Sequence, residues 1–286
     1  MMKIFWGVMA LQLFLFYPAW GAATDTNKLP AALLYKEKPI DPLCLVEFNT
    51  SIGQMDLDKC GIHAIAGRDI AGENQSLISK GYIGYDYTIK INDTVSLHGY
   101  SYYKIVGENG SAVIVQTINH GGGTGEVSSL SLVAREGHGI KVAVLNTGDR
   151  CNHGLVHVAR EQGTLGEHLI YSSKLTAYDF LKMAHNNPHH LKAYDDLDDC
   201  AICCKATAVF HRDMGTNFTH EKLLHIDLAA FPQDTTNTPA PQKYQACFDK
   251  LFKQYIKRGK TKLDKKQLAS FMREFNQKCT KHVCAR

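Results

Sequence analysis

Between Gly81 and about Ser172, short runs of β-branched and aromatic residues are separated by Gly, Asn and Asp. Runs at this spacing, with no helical segments between them, are typical of consecutive antiparallel strands. The pattern predicts seven strands here and two more after residue 205, over residues 82–91, 97–106, 112–118, 128–135, 140–145, 155–160, 169–172, 206–211 and 222–228. We therefore expect an α+β fold that is mainly antiparallel β, arranged as a meander, a sandwich or a barrel.

Helical periodicity is clearest after residue 242. Apolar side chains recur every three or four positions from residue 243 to 257, which predicts one stripe of an amphipathic helix. Gly259 suits the left-handed residue that ends a helix, and Asp264 suits the N-cap of the next one. The two apolar faces can pack together as an antiparallel helical hairpin. Thr176 and Asp179 predict a further short helix by the spacing of a capping box. Another is expected to begin at residues 195–199, whose acids suit a helix N-terminus, and to continue through the cysteine cluster.

The first 23 residues have the layout of a cleavable signal peptide. Lys3 precedes an apolar stretch over residues 4–17, which is followed by Pro18 and by small residues up to Ala23. An uncleaved anchor is the alternative, although the stretch is shorter than the ~18 residues of a spanning helix. No later run is long enough to cross a bilayer, so no transmembrane segment is expected in the mature chain. The sequence predicts a periplasmic or secreted protein.

All nine cysteines follow this leader, and they are Cys44, Cys60, Cys151, Cys200, Cys203, Cys204, Cys247, Cys279 and Cys284. In an oxidising compartment most of them should be paired, and an odd number allows at most four bridges. The helical hairpin predicts a Cys247–Cys279 disulfide, with Cys247–Cys284 as the alternative. The cluster at residues 200–204 has the spacing of redox and zinc motifs. Structural bridging is favoured because no thioredoxin-like βαβ pattern surrounds it.

Charge is divided unevenly between two parts of the chain. The formal net charge is +4, but residues 243–286 hold thirteen bases and three acids, or 13 − 3 = +10. Residues 24–242 hold eighteen bases and twenty-five acids, or 18 − 25 = −7. Opposite charges can draw the two parts together or attract an outside polyanion. The candidate anion contacts lie on the polar side of the first hairpin helix, at Lys243, Lys250, Lys253 and Lys257.

These observations divide the chain into four predicted segments. They are a signal peptide over residues 1–23, a disulfide-stabilised β-rich domain over 24–230, a Pro-containing linker over 231–242, and a basic helical hairpin over 243–286. Residues 24–43 are expected to be a lead-in without a regular pattern.

No complete catalytic motif is present. His120 precedes three glycines, as in the oxyanion loop of lipases, but the chain has no Gly-x-Ser-x-Gly nucleophile elbow. A second polar loop over residues 146–154 contains Asp149, Arg150 and His153, which could bind a polar ligand or simply form a hairpin with Asx turns. A secreted hydrolase using these four residues is one alternative function.

A metal site is the other alternative. Imidazole and carboxylate groups that could bind a divalent cation are concentrated at His189, His190, Asp195, Asp196, Asp198 and Asp199. Helix capping by the acids explains the same run without metal. No cofactor is predicted, and a divalent metal is kept as an alternative.

The leading hypothesis is an exported binding or interaction protein, not an enzyme. It combines a signal peptide, cysteines suited to disulfides and a basic hairpin with the lack of an assembled catalytic signature. Its expected partner is a protein, a glycan or an anionic surface. Nucleic acid is the least favoured polyanion because no recognised binding module accompanies the charge.

Overall fold

The computed structural model describes residues 29–46, 54–123, 125–148, 151, 154–163, 166–184, 195–198, 200, 203–214, 221–228 and 243–280. The predicted signal peptide and linker lie outside these residues. None of the helices within these ranges has the length and apolar character needed to cross a bilayer.

Fourteen strands and five α-helices are present in the described part of the chain. The strands are β1 (Leu34–Tyr35), β2 (Lys38–Pro39), β3 (Gln54–Asp56), β4 (Arg68–Gly72), β5 (Ile83–Lys90), β6 (Ser96–Asn109), β7 (Ala112–His120), β8 (Glu126–Glu136), β9 (Gly139–Gly148), β10 (Leu155–Gly163), β11 (Gly166–Leu175), β12 (Ala206–Asp213), β13 (Glu221–Asp227) and β14 (Lys262–Leu263). The helices are α1 (Leu43–Val46), α2 (Gln75–Ile78), α3 (Ala177–Ala184), α4 (Lys243–Lys257) and α5 (Lys265–Phe275).

The largest element is a seven-stranded antiparallel sheet. Its strand order is β3-β9-β8-β7-β6-β5-β4, so β5 to β9 form a meander in which each strand pairs with its neighbours in sequence. Strands β3 and β4 come from the residues before the meander and pair at its two edges. The α+β class with mainly antiparallel sheets is therefore confirmed, and each of the nine predicted strands corresponds to a strand of the structure.

A second antiparallel sheet has the order β10-β11-β12-β13-β14. Strand β14 lies between the two C-terminal helices and pairs with β13 through Ile226 opposite Leu263. Because of this pairing, the segment that connects the helices forms the edge of the five-stranded sheet. The helical hairpin is thus joined to the β-rich part of the molecule by backbone hydrogen bonds as well as by packing.

The seven-stranded sheet has a hydrophobic core on each face. Ile114 belongs to the core shared with the five-stranded sheet and with α3, α4 and α5, whereas Val113 and Val115 belong to a core with the N-terminal residues. This is the period-two alternation of a strand covered on both sides. Leu33 and Ile40 are 0% and 2% exposed. The predicted lead-in is thus wrong in part, because its apolar residues cover one face of the sheet.

The C-terminal hairpin follows the sequence pattern. Gly259 has φ +74° just after α4, and Asp264 forms a complete capping box at the start of α5. Phe248 of α4 and Phe271 of α5 both pack edge-to-face against Phe180 of α3, at centroid distances of 5.5 and 4.9 Å. This aromatic cluster joins three helices into one packed layer.

Candidate functional site

A cleft of about 640 Å³ is lined by residues of both the seven-stranded and the five-stranded sheet. Volumes of this size are typical of sites for small molecules. The lining comes from α2 and its flanks, from β6 to β8, and from β10 and β11. These residues are Asn74, Ser76, Leu77, Lys80, Tyr82, Tyr100, Lys104, Gln116, Ile118, Glu126, Leu155, Val156, His157, Val158 and Lys174.

The register of the meander explains which side chains form one side of the cleft. Lys104 pairs with Gln116, and Tyr100 pairs with His120, which in turn pairs with Glu126. Directly paired residues project from the same face of a sheet. The polar groups of β6, β7 and β8 are therefore brought side by side although they lie far apart in sequence.

Lys104 is the half-buried cation of this cleft. Its Nζ lies 4.8 Å from the centre of the Tyr82 ring, which is a cation–π distance. Burial lowers the pKa of Lys104 from its ordinary value, and the positive charge of Lys80 lowers it further. Burial also raises the pKa of Tyr82 to about 12, with a smaller contribution from the charge of Glu126. The Tyr82 phenol is therefore neutral at physiological pH.

Glu126 is the acidic residue of the lining, and Tyr100 holds its carboxylate. The Tyr100 hydroxyl donates a hydrogen bond to Glu126, and the Tyr100 ring stacks on His120 at 5.2 Å. Burial raises the pKa of Tyr100, and the hydrogen bond to Glu126 raises it further. The phenol therefore stays protonated and keeps donating to the carboxylate.

Gln116 places a buried amide in the lining. It is 3% exposed, and its Nε2 donates to the carbonyl oxygen of Leu155 at 3.4 Å. Its Oε1 is buried and has no hydrogen-bond partner among the described residues. A buried acceptor of this kind is stabilised by a donor from a bound molecule.

One wall of the cleft is the short helix α2. Asn74 caps it by accepting hydrogen bonds from the backbone N–H groups of Ser76 and Leu77. The backbone N–H of Asn74 donates to the Tyr102 hydroxyl at 2.6 Å, and that hydroxyl donates to Asp86 at 2.9 Å. Tyr102 thereby fixes the helix, and with it Lys80, to the seven-stranded sheet.

The opposite wall is the start of β10 together with Lys174 of β11. The backbone N–H of Lys174 donates to the carbonyl oxygen of Gly154 at 2.9 Å, which fixes the entry to β10. His157 and the apolar residues Val156 and Val158 complete this wall. The lining therefore combines three lysines, one histidine, one carboxylate and several apolar side chains.

Of the four residues proposed for hydrolysis, the described part of the chain includes His120. It lies at the end of β7 beside the cleft, where its Nδ1 accepts a hydrogen bond from the backbone N–H of Gly122 at 3.3 Å. Asp149, Arg150 and His153 lie outside the described residues.

The acids proposed as metal ligands contact α4. Asp196 accepts a hydrogen bond from the backbone N–H of Tyr244 at 2.7 Å, and the backbone N–H of Asp198 donates to Gln245 at 2.9 Å. Asp196 thus satisfies one of the unpaired N–H groups in the first turn of α4. Asp195 is exposed in the same turn.

His189, His190 and Asp199 fall outside the part of the chain that the structure describes. Within that part, no group of three or more His, Cys, Asp or Glu side chains could hold a metal ion.

Among the described residues three pairs of cysteines are bonded, namely Cys44–Cys60, Cys200–Cys203 and Cys247–Cys279. The last is the pair predicted from the helical hairpin. Cys284 lies outside the described residues, while Cys151 and Cys204 form a further contact that is taken up below. The four lysines proposed as anion contacts, Lys243, Lys250, Lys253 and Lys257, are all exposed along α4.

The residues that line the cleft are not indicated by any pattern in the sequence. No motif in the surrounding sequence marks the charged residues of the lining, which are Lys80, Lys104, Lys174 and Glu126. They come together only through the pairing of strands that are distant in sequence. Searches of protein-family models, curated proteins and solved structures returned no match to this chain. The chemistry of the cleft is therefore the main indication of function.

Proposed function

We propose that this chain is an exported binding protein that holds a small organic anion in the cleft lined by its two sheets. The observation that carries the proposal is the charge of the lining, in which Lys80, Lys104 and Lys174 stand against the single carboxylate of Glu126. Lysine ammonium groups in a partly enclosed space attract anions more strongly than they would in bulk water.

The arrangement of Glu126 supports the same ligand class. Its carboxylate already accepts a hydrogen bond from Tyr100. It is therefore partly satisfied within the protein, and it neutralises no more than one of the three lysine charges. An anionic ligand would give the ammonium groups of the lining a further partner of opposite charge.

Two further features restrict the chemical class of the ligand. Apolar side chains on both walls, including Leu77 and Val158, favour a molecule with a carbon skeleton over a bare inorganic ion. The buried Oε1 of Gln116 favours a ligand that also carries a hydroxyl or amine donor. A carboxylate that also carries a hydroxyl or amine group has the negative charge, the carbon skeleton and the hydrogen-bond donor that the cleft favours.

Calorimetric titration with citrate, tricarballylate and inorganic phosphate tests this proposal. Citrate should bind most tightly, because tricarballylate has the same carboxylates without the hydroxyl. We expect Lys104→Met to weaken citrate binding about tenfold, since a charge-assisted hydrogen bond contributes roughly 1.5 kcal/mol.

Lys253→Met is the matched control, because it removes the same charge from an exposed position on α4. It should leave the affinity for citrate unchanged. Equal weakening in both variants, or a lack of saturable binding by all three anions, would count against a cleft that binds anions.

Export forms part of the proposal. Three disulfide-bonded pairs are typical of proteins that fold in oxidising compartments. Fractionation of the source cells tests this part. Recovery of the chain in the cytosol with its cysteines reduced would contradict it.

A second candidate function is contact with an anionic surface through α4. Its support is the exposure of all four lysines on the polar side of the helix. Co-sedimentation with phosphatidylserine vesicles should then be lost in the variant that replaces these four lysines by Gln. Retention of vesicle binding by that variant would exclude this role for α4.

A further inference from the structure

Two cysteines outside the three disulfides lie together beside the cleft. Cys151 is 1% exposed, whereas Cys204 is half-buried. The Cys151 thiol and the Cys204 sulfur are hydrogen-bonded to each other. Two cysteines whose side chains are in contact need only a small movement to form a bond between their sulfurs.

Cys151 lies four residues before β10 and Cys204 two residues before β12, and these two strands flank β11. The carbonyl oxygen of Cys151 accepts a hydrogen bond from Gly154, one residue before β10 begins. Cys204 lies two residues before β12, and the N–H of the next residue, Lys205, donates to Leu175 at the end of β11. A bond between Cys151 and Cys204 would therefore join the starts of β10 and β12 across β11.

We infer that Cys151 and Cys204 are an oxidisable pair that closes into a fourth disulfide when it meets a disulfide-bearing oxidant, such as an oxidised dithiol oxidoreductase or oxidised glutathione. The Cys204 thiolate attacks one sulfur of the incoming disulfide and releases the other sulfur as a thiolate. Cys151 then loses its proton and attacks the Cys204 sulfur, which releases the second thiol. In total the protein gives up two electrons and two protons, and the oxidant becomes two thiols.

The surroundings assign the order of these two steps. Cys204 is the more accessible of the two. The hydrogen bond from Cys151 lowers the pKa of Cys204, and the positive charge of Lys174 lowers it further. The same hydrogen bond raises the pKa of Cys151, and burial raises it further, so Cys151 remains a thiol until the mixed disulfide has formed. Cys204 is therefore the attacking residue and Cys151 the resolving one.

Peptide mapping of the full-length protein tests the inference. The protein is incubated with oxidised glutathione, alkylated under denaturing conditions and digested with trypsin without reductant. We expect residues 151–160 to be recovered in covalent linkage with residues 193–205. The linked species should weigh four hydrogens less than the two reduced peptides, because the second peptide also holds the Cys200–Cys203 bond. Fragmentation between Cys203 and Cys204 should assign the linkage to Cys204.

Two variants identify the partner independently. Cys204→Ser should abolish the linked species, whereas the matched variant Cys203→Ser should retain it. The opposite result would overturn the proposed pairing. Alkylation of both Cys151 and Cys204 in the oxidised wild-type protein would overturn it as well, and that measurement requires no variant to fold. In the wild type, closing the bond should raise the Tm by about 5–10 °C relative to the protein with this pair reduced.

Discussion

Lys104 is the residue on which the proposed binding function chiefly depends. It lies half-buried in the cleft with the Tyr82 ring against its ammonium group. Burial disfavours its charged form, and Lys80 adds repulsion between like charges. A bound anion offsets both the cost of burying the charge and the repulsion from Lys80. Positive charge held close together in this way is unfavourable for the empty protein and favours the bound state.

The lowered pKa of Lys104 leads to a prediction about pH. Only the protonated amine attracts an anion, so citrate affinity should fall as the pH rises through the alkaline range, at a lower pH than an ordinary lysine would require. In Lys80→Met the repulsion is removed and the pKa of Lys104 moves up. The fall in affinity should then begin at higher pH, as measured by calorimetric titration between pH 7 and 10. Superimposable pH profiles for the two proteins would show that Lys80 and Lys104 are not coupled.

Gly84 supports the same site through close packing. A Cβ at this position would lie 2.6 Å from the Cα of Tyr102 and would also strike the carbonyl oxygen of Ser101. Gly84→Ala should therefore displace Tyr102 and lower the free energy of unfolding by about 1–3 kcal/mol. Gly123→Ala is the control, because its Cβ meets no atom within 4 Å. Urea denaturation measures both, and equal midpoints would contradict the packing argument.

At the scale of elements, local signals in the sequence were reliable. The capping box of Asp264 with Gln267 is formed as expected. A second one is formed at α3, where the Thr176 hydroxyl accepts from the backbone N–H of Asp179 and the Asp179 carboxylate accepts from the backbone N–H of Thr176. Such signals involve residues three positions apart, so the sequence contains them directly. The helix expected to begin at residues 195–199 is wrong, because Asp195 and Asp196 form a turn and the Asp196 carboxylate instead accepts a hydrogen bond from the first turn of α4.

In addition to the shared core, a polar cluster around Glu221 of β13 joins the two sheets. Arg212, which is 4% exposed, donates to Glu221 at 3.1 Å and to the carbonyl oxygen of Leu145 in the other sheet at 3.4 Å. The Tyr171 hydroxyl also donates to Glu221. The carboxylate therefore orients the arginine that joins the sheets.

Removing this carboxylate should destabilise the fold. We expect Glu221→Ala to lower the free energy of unfolding by about 1–3 kcal/mol, because it removes the carboxylate that accepts hydrogen bonds from the buried Arg212 and from Tyr171. Glu221→Gln should cost less, because it retains an acceptor oxygen. Glu136→Ala, at an exposed position on β8, should change stability by no more than about 0.5 kcal/mol. A stability loss in Glu221→Ala no greater than in Glu136→Ala would exclude a joining role for the cluster.

At the scale of the whole molecule, the sequence predicted the class of fold but not the site. Alternation and turn residues are sufficient to predict strands such as β5 to β9, and periodicity is sufficient to predict α4 and α5. The cleft depends on which strands become neighbours. Lys104 and Gln116 are paired across β6 and β7, whereas Lys174 reaches the cleft from the other sheet. The coverage of the sheet by Leu33 was missed for a different reason, because a short apolar segment has no period to detect.

The proposed function requires that an organic anion binds among the cleft lysines. Its most direct test is NMR of the full-length protein after reductive ¹³C-methylation of its lysines, with signals assigned by single Lys→Arg variants and followed during citrate addition. We expect saturable shifts of the Lys80, Lys104 and Lys174 signals, and a smaller response at Lys250 and Lys253 on α4. Shifts confined to the α4 lysines, or equal and unsaturable shifts at all lysines, would contradict it.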